Sequence, residues 1–322
     1  MQSRGVAGIF FQVGVLLLTA ALSVSALAAE CTQQDREARQ WLDKMSRSLR
    51  EQNYRGIFTY EQGAQMQSLS IDHQVNNGVE YEQLVHLDGE ARKIVRKDHP
   101  LNCIHPGHQL VRFSDRIGHE KDCGLSDFYR FSIGDNERIA GRDAIQLRLI
   151  PRDMYRYGYQ LSLDKESALL LKSSIMGQKG QVLERFQFSD LSVAKGAVAT
   201  ESSIVNEHLA HHSQIEPQLD VVASGPWLIA WIPPGFTLTS MPVSGEVQTH
   251  TYTDGLAVFS VILEPQGRAS STADGEGRAQ QGATIAYTRA MNSDLGFYLV
   301  TVLGEVPIDT AKRVAASVKL GG

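Results

Sequence analysis

The densest run of chemically capable side chains holds His99, Cys103, His105, His108, His119 and Cys123. Imidazole and thiolate are the ligands zinc prefers, so a metal centre is one chemistry these residues could support. Structural zinc sites pair their ligands at short, regular spacing, whereas these two cysteines are far apart in the sequence. In an oxidising compartment the two thiols would join each other, and closing a loop of about 20 residues stabilises by ~3 kcal/mol in the chain-entropy account. A Cys103–Cys123 disulfide tying a loop of solvated histidines is therefore expected, without a metal. Three unpaired thiols, Cys31 included, are the plainer alternative.

Other groups give less. Gly275-Glu-Gly277 and Gly282 lack dinucleotide-loop spacing and no strand is expected to lead into them, so a flexible loop is expected. The chain has no Walker A loop, no G-x-S-x-G elbow and no HExxH helix. Asp153, Asp164, Glu184 and Asp190 are scattered over turns and strands, where turn formation and surface charge account for them. His208, His211 and His212 fall in a polar stretch that reads as a solvated linker. No catalytic residue, metal or cofactor is expected, and the chain does not read as an enzyme. What remains is apolar surface. Phe58 and Tyr60 share one side of a strand, as do Phe186 and Phe188, and they are either ordinary core or the wall of a cleft for acyl chains or an extended peptide.

The elements that must position these residues follow from periodicity. Trp41, Leu42, Met45 and Leu49 recur at helical spacing, which predicts an amphipathic helix over 35–52. Period-two segments near 56–60, 68–72, 79–85 and 92–96, with Asn77-Gly78 and Asp88-Gly89 between them, predict an antiparallel meander. A long loop with a short helix at 125–131 is expected next, then strands near 137–140, 144–150, 157–163, 168–175 and 181–188. After a stretch without aromatic residues come strands at 248–253 and 256–263, a Gly-, Ser- and Ala-rich loop at 270–282, strands at 284–289 and 297–304, and a helix over 310–320.

Composition bounds the class. The chain has 322 residues, 42% of them hydrophobic and 21% charged, as expected of a folded globular protein. A net charge of −5 offers no cationic field for nucleic acid, which is disfavoured as a partner. Met1 to Ala29 reads as a secretory signal, with Arg4, an apolar run through Val13 to Leu18 and small residues at Ser25 to Ala29. Glu30 stands where a lipoprotein box needs a small residue, so lipidation at Cys31 is not expected. The divisions are a signal at 1–29, a larger domain at 30–195, a linker at 196–224 and a smaller domain at 225–322.

Several segments together look familiar: Tyr54-Arg-Gly-Ile-Phe-Thr-Tyr60, Val85-His-Leu-Asp-Gly-Glu-Ala-Arg92, Pro151-Arg-Asp-Met-Tyr-Arg-Tyr-Gly-Tyr159, Leu183-Glu-Arg-Phe-Gln-Phe188, Trp231-Ile-Pro-Pro-Gly-Phe236 and Tyr252-Thr-Asp-Gly-Leu256. In this order the chain resembles the RseB/MucB family of periplasmic negative regulators of the envelope-stress sigma factor. The resemblance implies an α+β fold: an N-terminal unclosed antiparallel β-barrel of the LolA/LolB type with helices, and a smaller C-terminal α+β domain. It implies binding to the periplasmic domain of a single-span anti-sigma factor, which is shielded from proteolysis until lipopolysaccharide or lipoprotein acyl chains release the regulator. Homo-oligomers are a further family feature. A periplasmic lipid or lipoprotein carrier is the alternative, although it leaves the C-terminal domain without a task. On these expectations Phe58, Tyr60, Phe186 and Phe188 are lipid-cleft candidates. Trp227, Trp231, Phe236, Tyr252 and Phe259 are candidates for partner contact, since aromatic anchors dominate interface energetics.

Overall fold

Helix α1, Gln33–Glu51, starts where Thr32 and Asp35 form a reciprocal capping box, each side chain bonded to the other's backbone N–H. Its spacing places Ala38, Leu42 and Met45 on one buried face. The computed structural model describes residues 32–97, 124–194, 227–240, 243–244, 247–266, 275–293 and 296–320. The signal segment, Cys31, the Cys103–Cys123 pair, the histidine-rich stretch and the linker lie outside these residues.

The meander follows as β1 (Tyr54–Gln62), β2 (Gln65–Asn76), β3 (Val79–His86) and β4 (Lys93–Lys97). Asn77 and Gly78 both take positive φ, 53° and 80°, the geometry a two-residue hairpin turn needs. A second meander comprises β5 (Tyr129–Ile139), β6 (Arg142–Pro151), β7 (Gly158–Asp164), β8 (Leu170–Met176) and β9 (Val182–Val193). β1 pairs with β9, so the two meanders fuse into one nine-stranded antiparallel sheet in the order β4-β3-β2-β1-β9-β8-β7-β6-β5. The edges β4 and β5 do not meet, leaving the barrel unclosed. Its core joins α1 to Phe58, Leu84, Tyr129, Leu147, Leu161, Leu171 and Phe188.

The second part holds β10 (Trp227–Ile229), β11 (Thr237–Ser240), β12 (Val243–Ser244), β13 (Val247–Thr253), β14 (Val258–Gln266), β15 (Glu276–Gln281), β16 (Thr284–Ser293), β17 (Gly296–Gly304), helix α2 (Ile308–Ala316) and β18 (Val318–Leu320). Its main sheet runs β11-β13-β14-β17-β16-β15, with β12 paired to β13, while β10 pairs with β18. Phe259, Val261, Val300 and Val302 pack under α2 as a core of their own. The α+β class, with an unclosed sheet and a smaller second sheet, is therefore as expected.

Three local expectations are corrected. The helix expected at 125–131 is a single 3-10 turn, Gly124–Asp127, and β5 begins at Tyr129. The flexible loop expected through 282 contains edge strand β15, whose residues are all exposed and so carry no burial alternation. The helix expected to reach 320 stops at Ala316, because Val318–Leu320 is drawn into pairing with β10.

Candidate functional site

The two sheets meet through a buried arginine. The connection from β6 to β7 turns at Asp153, whose Oδ1 accepts the Tyr155 N–H at 2.9 Å, and this turn aims Arg156 inward. Arg156 is fully buried. Its Nη1 lies 2.7 Å from Asp254 Oδ2, its Nη2 donates to the Pro234 carbonyl at 2.5 Å, and its Nε bonds Asp153 at 3.1 Å. Its guanidinium lies 4.8 Å from the Phe128 ring centroid and 5.2 Å from that of Phe236. Asp254 also accepts from the Tyr129 hydroxyl at 2.9 Å and from the Leu256 and Ala257 amides. Burial pushes the Asp254 carboxyl up, while Arg156 and the two amides pull it down. Gly235 approaches so closely that a Cβ there would lie 2.5 Å from the Phe128 ring, and its φ is +85°.

Beside this clasp, the Tyr155 carbonyl accepts from Thr310 Oγ1 at 3.1 Å and its hydroxyl from Arg313 at 2.7 Å. Trp231 packs edge-on against Tyr155 and carries the Arg313 guanidinium 3.9 Å above its own ring. The other flank of the same connection opens into a groove of about 960 Å³, lined by Arg148, Ile150, Arg152, Met154, Tyr155 and Met176 among others. Ile150 is 46% exposed and Met154 62% exposed, so the wall offers apolar surface with Arg148 and Arg152 beside it and the buried Arg156 beneath.

A second junction is acidic. Glu184 of β9, itself buried, accepts from the Tyr60 hydroxyl at 2.6 Å, from Gln62 at 3.2 Å and, across the junction, from the Ala283 amide at 2.9 Å. Gln281 bonds Gln65 at 2.9 Å beside it. Burial raises the Tyr60 hydroxyl's pKa, with Glu184 adding to the effect.

The residues singled out from sequence are placed unevenly. Phe58, Phe186 and Phe188 pack on one another in the first core, with ring centroids 4.8 to 5.8 Å apart, and Tyr60 is held by Glu184. None of the three phenylalanines is presented to solvent. Trp227, Phe236 and Phe259 are buried as well, with Trp227 stacked 4.1 Å from His250. Tyr252 is half-buried against Phe259, and Trp231 serves the junction. Burial of these aromatics comes from period-two packing, in which a strand's apolar residues turn to the core. Sequence reasoning missed Arg156 and Asp254 and gave Glu184 only surface charge. The signal was present: Arg156 lies among the aromatics of the 151–159 segment, and its partners come from the 231–236 and 252–256 segments. Among the described residues no three His, Cys, Asp or Glu side chains gather into a metal-binding group.

Two antiparallel sheets, each with its own core, joined by buried ion-pair and carboxylate contacts and flanked by a groove, define a two-part β-rich protein. The chain belongs to the MucB/RseB family: the family's N-terminal domain matches residues 37–213 and its C-terminal domain residues 222–319. It is 35% identical over 314 residues to the sigma factor AlgU regulatory protein MucB of Pseudomonas aeruginosa, covering 92% of this chain and 96% of that one. It is 29% identical to the sigma-E factor regulatory protein RseB of Haemophilus influenzae, over 93% of this chain and 96% of that one. Crystallographic MucB in complex with MucA(peri) superposes with a TM-score of 0.69 at 35% identity, over 88% of this chain and 99% of that one. A second structure, the Pseudomonas aeruginosa MucA/MucB complex, gives a TM-score of 0.71 at 33% identity, over 89% and 99%.

Proposed function

We propose that this protein is an exported, non-enzymatic regulator that binds the periplasmic region of a membrane anti-sigma factor and shields it from regulated proteolysis. The observation that carries this reading is the near full-length superposition on MucB in complex with MucA(peri). The groove beside the β6–β7 connection is the surface we assign to the partner segment, because Ile150 and Met154 supply apolar contact and Arg148 and Arg152 supply charge for acidic residues. The aromatic candidates Trp227, Phe236 and Phe259 then act through the second core, and Trp231 by holding Tyr155 at the groove. Release by lipopolysaccharide or lipoprotein acyl chains is part of the proposal. An acyl chain entering between α1 and the sheet would meet Phe58, Phe186 and Phe188, which belong to the core that α1 covers. Self-assembly and division into a domain at 30–195, a linker and a domain at 225–322 complete it.

The test uses the mature protein and a fluorescent peptide spanning the periplasmic region of the anti-sigma factor encoded in the same genome. Ile150→Asp and Met154→Asp should each weaken binding tenfold or more, about 1.4 kcal/mol, without lowering the melting temperature. Lipopolysaccharide should displace the peptide. Absence of peptide binding by the wild-type chain would refute the regulator reading, and unchanged affinity in both variants would refute the groove.

A further inference from the structure

The acidic junction does more than join the sheets. Glu305 follows β17 directly, and the register Ile285↔Gly304 sets it beside the turn at 282–284 whose Ala283 amide bonds Glu184. A Cβ on Gly282 would come within 2.7 Å of Glu184 Oε1, so the turn is pressed against the first sheet's carboxylate. Beside its other contacts, Glu305 interacts electrostatically with Glu184 from β9, Tyr60 from β1, Tyr157 just before β7 and Tyr159 within it. Glu184 is buried and Glu305 partly so, and the two carboxyls, one from each side of the junction, act on each other electrostatically among these phenols.

We propose that Glu184 and Glu305 form a proton-operated latch between the two sheets, closed while one proton is held by the pair and released when both carboxyls are ionised. Both Glu184 oxygens already accept hydrogen bonds, from Tyr60, Gln62 and Ala283, so the proton of the latch is assigned to Glu305. In agreement, burial first and the Glu184 charge second push the Glu305 carboxyl up to about 8. Its ordinary value is 4.5, which the open latch would restore by admitting water. A group whose pKa is raised in the closed form favours closure fully below about 4.5, and loses that contribution as pH rises through about 8. Within that window the open state gains about tenfold in relative population per pH unit. The latch stands independently of which partner the groove takes.

The test is amide exchange at Ala283 in the full mature chain, corrected for intrinsic rates, between about pH 5 and pH 9. The Ala283 amide, freed when the latch opens, should lose protection as pH approaches 8, while the Val302 and Leu161 amides within the two cores keep theirs. In Glu305→Gln, which cannot ionise, Ala283 should stay protected throughout. An identical decline in wild type and variant, or no decline in wild type, overturns the proposal. The Glu305 carboxyl carbon resonance of the wild-type chain gives a second reading that needs no variant. A midpoint near 8 supports the latch, and one near 4.5 overturns it.

Discussion

Truncating Arg156 to alanine leaves Asp254 buried beside Tyr129 without its cation. Removing one partner of a buried pair costs about 3 to 5 kcal/mol, which urea unfolding of Arg156→Ala should reveal. Replacing both members, Arg156→Met with Asp254→Leu, should cost less, because the fully buried carboxylate goes with its cation and only the partly exposed Asp153 loses a partner. This contrast would separate the worth of the pair from the penalty of breaking it. Little at this scale was legible beforehand. Asp254-Gly255 lies in the hairpin turn between β13 and β14, and the same Asp254 carboxylate also receives Arg156 from the other sheet. Sequence pattern reports local geometry well and says little about which distant group a buried charge will meet.

At the scale of elements, β1 carries its own constraint at Gly56, one residue before the pairing with β9 shifts register between Ile57 and Phe58 and skips Ser189. A Cβ on Gly56 would press on the Asp190 carbonyl and lie 2.8 Å from the Phe188 ring. Gly56→Ala should therefore destabilise by about 1 to 3 kcal/mol, seen as a lowered thermal midpoint. Elements with strong periodicity were legible: α1, the meander and most of β6 to β9 follow their apolar spacing. Two that escaped have physical reasons. β15 is a wholly exposed edge strand held by backbone pairing to β16, so no side-chain alternation marks it. β18 hides because Val314 and Val318 keep helical spacing, although the chain has left the helix to pair with β10.

For the whole molecule, the junction between the sheets rests on close approach as much as on charge. Gly282, at φ +59°, lies against Gln62 and Glu184. Gly282→Leu should wedge the sheets apart, enlarging the radius of gyration in small-angle scattering while leaving each sheet's circular dichroism intact. The sequence conveyed the two-part organisation through a composition shift after 194, but not the junction, since its residues come from segments far apart in the chain. The aromatic segments 151–159, 231–236 and 252–256 meet around Arg156 and build that junction, whereas the binding proposed at the groove would fall to Ile150 and Met154, which no aromatic pattern signals.

The β1 to β9 seam also sets a timetable. Tyr54 pairs with Val193, so the central seam of the first sheet cannot form until almost all of that sheet's chain has been delivered. A chain threaded out from its N-terminus would expose the inner flank of β1 for the whole interval, with Phe58 awaiting Phe188. Pairing so distant in sequence is slow, in the millisecond-to-second range, and leaves an open strand edge while it waits. Chains exported as proposed should therefore depend on chaperones during this interval more than their final stability suggests.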